Sequence, residues 1–230
     1  DLTHFYDNIF TTTGSSGSSY TSGFGGTSGA TPITAGHFGL FFQMWHNGIF
    51  GNPTGATVFQ SRPHSTTAKA MVINTASSYP FSGTGHDLTR THQGWGLPDL
   101  RTMYDDRNKI HVIDESDVLT NLQSTTYGYQ VNAGEPEFKA TLVYLDRAGT
   151  TSSSQHRINN LDLRVQAPDG TVYWGNNGLH VGNWSTPGGS PNNVDTVENV
   201  FVQNPMAGQW QVEIIASEIN QDTHVETGAV

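Results

Sequence analysis

The residues with the clearest chemical use in this chain are Gly26-Thr27-Ser28-Gly29-Ala30-Thr31-Pro32. They open a segment, Thr27 to Asn47, whose apolar residues cover nearly a whole helical wheel: Ala30, Ile33, Ala35, Phe38, Leu40, Phe41, Met44 and Trp45. Pro32 falls in the first turn, where its missing N–H does no harm. A serine in that turn sits among unpaired amides at the positive end of the helix. If the Ser28 hydroxyl attacked a carbonyl, the developing oxyanion would lie beside the serine's own N–H, as acyl transfer requires. The flanking glycines let a substrate backbone approach closely. Ser and Thr also serve as ordinary helix caps, and the dipeptide alone does not separate the two uses.

A second group is acidic. Asp162, Asp195 and Glu198 lie among Asn159, Asn160, Asn192 and Asn193. Oxygen donors of this kind suit calcium, a hard cation that takes six to eight of them. Asn and Asp are also common turn residues. The ten histidines are scattered without zinc spacing, so they read as structural or solvent-facing. Trp174, Trp184 and Trp210 read as packing residues rather than a ligand platform.

The elements that must position these residues follow from the pattern. Asp1 to Gly26 is rich in Gly, Ser and Thr, with aromatics at Phe5, Tyr6, Phe10, Tyr20 and Phe24. It reads as a loop packed by its aromatics. The helix after it, apolar all round, is expected to be buried. Further helices are expected over His64–Ala76 and Leu97–Asp105. Beyond Asn108 the signals become strands and turns. Lys139–Leu145, Leu161–Ala167 and Trp210–Ile215 alternate, and Pro168-Asp169-Gly170 is a turn into Thr171-Val172-Tyr173-Trp174. Several short strands with regular turns predict a β-sandwich. The chain is thus expected to hold two domains, 1–108 and 109–230.

Composition narrows the classes. The 230 residues carry 10 Lys+Arg against 20 Asp+Glu, a net charge of −10, which disfavours nucleic acid or an anionic membrane surface as partner. No apolar run reaches the ~20 residues of a membrane span. The chain has no cysteine, which excludes disulfides and thiolate metal sites. Low Lys with abundant Ser, Thr, Asn and Gly points to an extracellular protein.

The motif G-T-S-x-A-x-P at 26–32 resembles the nucleophile motif of the subtilases, the subtilisin-like serine proteases, and Ile33-Thr34-Ala35-Gly36 continues the likeness. Gln93-Gly94-Trp95-Gly96-Leu97-Pro98-Asp99-Leu100 is similar to the turn and short helix that close the subtilase catalytic domain. The stretch from about Ile110 to Val225 resembles the C-terminal β-sandwich of the oxidation-resistant alkaline subtilases. The likeness rests there on Ile158–Leu163, Ala167–Gly170, Val197–Val200 and Pro205–Gly208.

The resemblance implies an α/β catalytic-domain fragment followed by a jelly-roll-like all-β sandwich. It implies a secreted endopeptidase with Ser28 as nucleophile, Gly26 and Thr27 against the substrate, and a protein or peptide as that substrate. It also implies structural calcium in the sandwich, with Asp162, Asp195 and Glu198 as candidate ligands. Two departures matter. Position 29 is Gly where subtilases usually carry Met. The triad His and Asp, which subtilases place far upstream of the serine, have no counterpart in a family motif among the 27 residues before Ser28; His4, Asp1, Asp7 and Asn8 stand outside any such motif. They are expected on a missing N-terminal portion, of the same polypeptide or as a second chain, without which the helix at 27–47 would expose apolar surface. A final apolar strand is also expected beyond Val230. The competing reading is a non-catalytic binding or stabilising sandwich attached to a protease remnant.

Overall fold

The computed structural model describes residues 9–13, 17, 19–78 and 90–223, without the side chains of Thr91 and His92. The chain divides into two compact units, Asp1–Pro63 with Thr75–Val112, and His64–Asn74 with Ile113–Val230. The main division falls between Val112 and Ile113. The segment 64–74, expected in the first domain, groups with the second unit.

In the first unit, β1 (Ile9–Thr12) pairs antiparallel with β2 (Tyr20–Phe24), and the Phe10 and Tyr20 rings stack at 5.4 Å. A loop was expected across this stretch. The β-branched and aromatic residues Ile9, Thr11, Tyr20 and Thr21 favour extended backbone enough to form a short hairpin ladder instead. Helix α1 (Thr27–His46) follows. Its buried residues are Gly29, Ala30, Phe41 and Trp45. Phe41 and Trp45, one turn apart, pack their rings on each other and on Phe50, at centroid distances of 6.0 to 6.2 Å. Leu40 at 57% and Phe42 at 44% are exposed, so the expectation of burial all round holds for one stripe only.

The short helices α3 (Arg90–Gln93) and α4 (Leu100–Asp105) complete this unit. Asp99 caps α4: its Oδ1 accepts from the Thr102 amide at 2.9 Å, and its Oδ2 from the hydroxyls of Thr102 and Ser77. Leu97 lies ahead of the helix, bridged to Ser77. Burial works to raise the Asp99 carboxyl, but the hydrogen bonds from Ser77, Thr102 and the Arg101 amide outweigh it and hold the group below its ordinary value. The ionised cap therefore adds stability above the ordinary carboxylate range, and loses it as pH falls through the lowered value. Asp99→Ala is expected to cost about 1 kcal/mol at neutral pH, the usual worth of an N-cap, and less in acid. Urea midpoints at pH 7 and pH 3 check this.

In the second unit, β3 (Ser124–Val131), β8 (Gly208–Glu218), β5 (Asn160–Gln166) and β6 (Val172–Trp174) form an antiparallel four-stranded sheet in that order. β4 (Glu137–Val143) and β7 (Val197–Gln203) form a two-stranded sheet. Both contribute to one core of Val131, Ala140, Leu163, Val165, Val200, Val202, Trp210 and Val212. The rings of Phe138 from one sheet and Trp210 from the other stack at 4.8 Å. Trp210 is 1% exposed and its indole N–H donates to the Met206 carbonyl, a packing role as expected.

Helix α2 (Ser65–Asn74) packs against β4 in this unit. The Asp114 carboxylate accepts from the His64 amide, from His64 Nδ1 at 3.0 Å and from the Thr67 hydroxyl at 2.6 Å, while the Thr66 hydroxyl donates to Glu115. At the other end Asn74 Nδ2 donates to the Thr141 hydroxyl. Two carboxylates at a helix N-terminus, supplied from fifty residues away, explain why sequence order misplaced this helix.

Leu122 is held at φ 64° and is 77% exposed. A bulky residue in the left-handed region is strained and here gains no packing in return. Leu122→Gly is expected to stabilise the unit by about 1 kcal/mol, read as a raised urea midpoint at unchanged slope.

Candidate functional site

Among the described residues, no side chain caps the N-terminus of α1. Its cap position is Gly26, at φ 73° and ψ −167°, a conformation essentially restricted to glycine. The glycine carbonyl accepts from the amides of Gly29 and Ala30 at 2.9 and 3.1 Å. Thr27 and Ser28 are thus the first and second residues of the helix, not its cap, and both are exposed. Among the described residues, nothing accepts from the Thr27 or Ser28 amides, and no acidic side chain stands in the first turn. Thr31 turns its hydroxyl back to the Thr27 carbonyl at 2.8 Å, away from the helix mouth.

The Ser28 hydroxyl has no described partner. His37 and His46, the histidines of the same helix, are engaged elsewhere, His37 with the Ile33 carbonyl and His46 with the Ser61 hydroxyl. Asp1, His4, Asp7 and Asn8 lie outside the described residues. Gly26, Thr27 and Ser28 are therefore together by sequence adjacency, and no described imidazole joins them.

The acidic residues of the second unit differ in burial. Asp195 is exposed, and its Oδ2 accepts from the side-chain amides of Asn192 at 2.8 Å and Asn176 at 3.3 Å. Asp162 and Glu198 are both 0% exposed. Asp162 Oδ2 accepts from Asn160 Nδ2 at 3.0 Å and from the Ser217 hydroxyl. Glu198 reaches from β7 to the four-stranded sheet, where its Oε2 accepts from the Leu163 amide at 2.8 Å. It occupies the place where β6 ends and Gly175 turns away. A Cβ at Gly175 would collide with the Glu198 carboxylate and lie 2.8 Å from its Cβ.

One oxygen of each of Asn160, Asp162 and Glu198 is buried without a partner. Burial, and then the nearby charges of Asp162 and Asp195, push the Glu198 carboxyl up to about 8; the Leu163 amide opposes this. Three unpartnered buried oxygens, two of them carboxylate, fit a hard cation better than they fit an apolar core. Among the described residues no three His, Cys, Asp or Glu side chains converge, so the remaining ligands of such an ion would be amide or carbonyl oxygens and water.

The sequence did not reveal the cluster of His64, Asp114, Thr66, Thr67 and Glu115. The polar run His64-Ser65-Thr66-Thr67 before an apolar stretch signals a helix start, but not its distant partners. An open recess of about 220 Å³ lies on the sandwich, lined by Gln166, Ala167, Pro168, Gly170, Gln209 and Gln211. None of these side chains titrates, so the recess offers no acid, base or nucleophile.

No protein-family model and no curated protein matches this chain. No helix among the described residues is long and apolar enough to cross a membrane.

Proposed function

We propose that this chain is the C-terminal part of a secreted subtilisin-like serine endopeptidase, in which Ser28 is the acylating nucleophile. The observation that carries the reading is the mouth of α1. Ser28 stands exposed in the first turn of a 20-residue helix whose foremost amides have, among the described residues, no side-chain cap, and whose first turn holds no acidic residue. An oxyanion is what such a mouth favours. The exposed face of α1 at Leu40 and Phe42 accords with a covering sheet supplied by another portion of the enzyme.

In the reaction, Ser28 Oγ attacks the carbonyl carbon of the scissile peptide while its proton passes to a histidine base, held by an aspartate. Both would come from polypeptide outside residues 1–230, as a preceding portion or a second chain. The Ser28 amide stabilises the tetrahedral oxyanion. Collapse expels the amine, which takes the proton from the histidine and leaves an acyl-enzyme that water hydrolyses. Gly26, by holding its unusual backbone, and Thr27, by leaving its side chain at the surface, flank the substrate. The second unit is read as the C-terminal jelly-roll-like sandwich, which braces the enzyme, with calcium as its structural cation.

The test is labelling of the intact, assembled protein with a fluorophosphonate. Stoichiometric label on Ser28, absent in Ser28→Ala, is the expected result. A folded assembly that takes no label would overturn the reading in favour of a pseudoprotease or a binding module.

A further inference from the structure

We infer that β3 is an assembly edge, on which a second copy of this chain lays its own β3 antiparallel, about a two-fold axis at Gly128. The inference goes beyond the peptidase reading and rests neither on Ser28 nor on a bound ion. β3 stands at the end of the four-stranded sheet and pairs with β8 on one side only. The Ala216 amide donates to the Gln123 carbonyl, which sets the phase of that ladder. Residues 125, 127, 129 and 131 turn their backbone groups to β8, and Ser124, Thr126, Gly128 and Gln130 turn theirs outward. Among the described residues, the outward amides of Thr126, Gly128 and Gln130 have no backbone acceptor, and all three residues are exposed.

An open strand edge is a template for another strand unless charge, proline, a bulge or shortness blunts it. β3 carries none of these devices. It runs for eight residues, STTYGYQV, without a charge or a proline, and its register with β8 is unbroken. The neighbouring edges are blunted: β6, at the opposite end of the sheet, has three residues, and β4 carries Glu137 and Lys139. The sequence of β3 also selects the occupant. A chain of net charge −10 repels its own copies, and an uncharged strand is where that repulsion is least. Antiparallel pairing centred on Gly128 sets Gly128 opposite its counterpart and Thr126 opposite Gln130, so that the outward backbone groups satisfy one another. It sets Tyr127 opposite Tyr129 on both sides of the axis, an aromatic cross-strand pair of the kind that stabilises sheets.

The chain has no cysteine, so one introduced thiol reports the register. In the full chain, Gly128→Cys sets two thiols opposite each other at the axis, with Cα atoms about 5.5 Å apart, inside the range a disulfide spans. A Cβ at position 128 meets only the end of the flexible Gln209 side chain. Mild oxidation is expected to convert most of this variant to a linked dimer on a non-reducing denaturing gel. Thr126→Cys, whose two thiols lie roughly 14 Å apart in this register, is expected to stay single. Sedimentation equilibrium at 0.15 M salt, where distant charges are screened, reads the same register without a thiol. Thr126→Lys with Gln130→Lys opposes like charges on both sides of the axis and is expected to weaken the dimer about tenfold. Thr126→Lys with Gln130→Glu opposes unlike charges and is expected to dimerise at least as tightly as the unmodified protein. A protein that stays monomeric at every concentration overturns the proposal, whether its edge is bare or covered by another portion of the enzyme. Linking of Thr126→Cys as readily as Gly128→Cys overturns it too, as do equal dissociation constants for the two charge variants. None of these results bears on fluorophosphonate labelling, so the edge and the peptidase reading fail separately.

Discussion

In EDTA, the second unit is expected to lose stability steadily as pH rises from about 5 to about 8, the reverse of ordinary acid denaturation. Glu198 is the cause. Burial first, then the charges of Asp162 and Asp195, push its carboxyl from the ordinary 4.5 up to about 8 in the folded chain, against the pull of the Leu163 amide. In the unfolded chain the group releases its proton near 4.5. Below that value both states hold the proton, and the full stability is present. Between the two values the folded state binds more protons than the unfolded one, so the unfolding free energy falls as pH rises. Above about 8 both states are ionised and the loss is complete. One pKa unit is worth about 1.4 kcal/mol, so the loss is on the order of a few kcal/mol, a large fraction of the stability of a typical domain.

The neighbouring phenols do not obscure the window. Burial foremost, with the Glu198 and Asp146 charges assisting, raises Tyr144 to about 12, and Tyr127 is raised to about 12 by burial and by its hydrogen bond to Asp117. Glu218, held low by its bonds from Asn220 and Arg157, acts only in acid. Chemical denaturation at half-unit pH steps reads the effect, and Glu198→Gln supplies the baseline. The slope between the two proteins should differ over this window and nowhere else. Equal slopes would show that Glu198 ionises normally despite its burial.

The same side chain shows where sequence reasoning reached and where it stopped. The strands of the second unit were legible because β5 and β8 alternate cleanly, and a turn such as Pro168-Asp169-Gly170 has its own chemistry. β3 was not assigned, and β7 only as an unbounded strand ahead of the turn at Pro205-Met206-Ala207-Gly208. β7 is buried at nearly every position from Glu198 to Val202, so it carries no alternation to read. The acidic residues were found as a group, but Asp162 and Glu198 are buried near enough for the Asp162 charge to act on Glu198 because β5 and β7 belong to facing sheets, and nothing in their spacing says so. Asp195, three residues from Glu198, looked equivalent and lies at the surface.

In the first unit the opposite occurred. Composition hid the β1–β2 hairpin inside a Gly/Ser/Thr-rich stretch, whereas the start of α1 at Thr27 was marked by Pro32 and the glycines. Helix α2 was found with nearly correct ends and placed in the wrong unit. Its membership depends on Asp114 and Glu115, and a bond between residues 50 apart leaves no local trace.

If the proposed peptidase reading holds, Ser28→Ala is expected to lower kcat/KM of the assembled protein by at least about 10⁴-fold, a scale set by subtilisin-like enzymes themselves, with Tm unchanged. The two halves of that statement have different grounds. The first follows from chemistry: without Oγ no acyl-enzyme can form, and water must attack a carbonyl that the remaining oxyanion donors only polarise. The second follows from geometry. Ser28 is exposed, its hydroxyl holds no described partner, and the cap position belongs to Gly26. Substitution at such a place normally changes stability by less than about 0.5 kcal/mol. Had Ser28 been the cap, alanine would have removed about 1 kcal/mol and frayed the first turn of α1. Steady-state peptide hydrolysis together with a thermal melt therefore separates three cases. Lost turnover at constant Tm fits a nucleophile. A lowered Tm with turnover reduced in proportion fits a structural serine. Unchanged turnover excludes Ser28 from the chemistry and leaves the second unit as the part of the chain whose function must be sought.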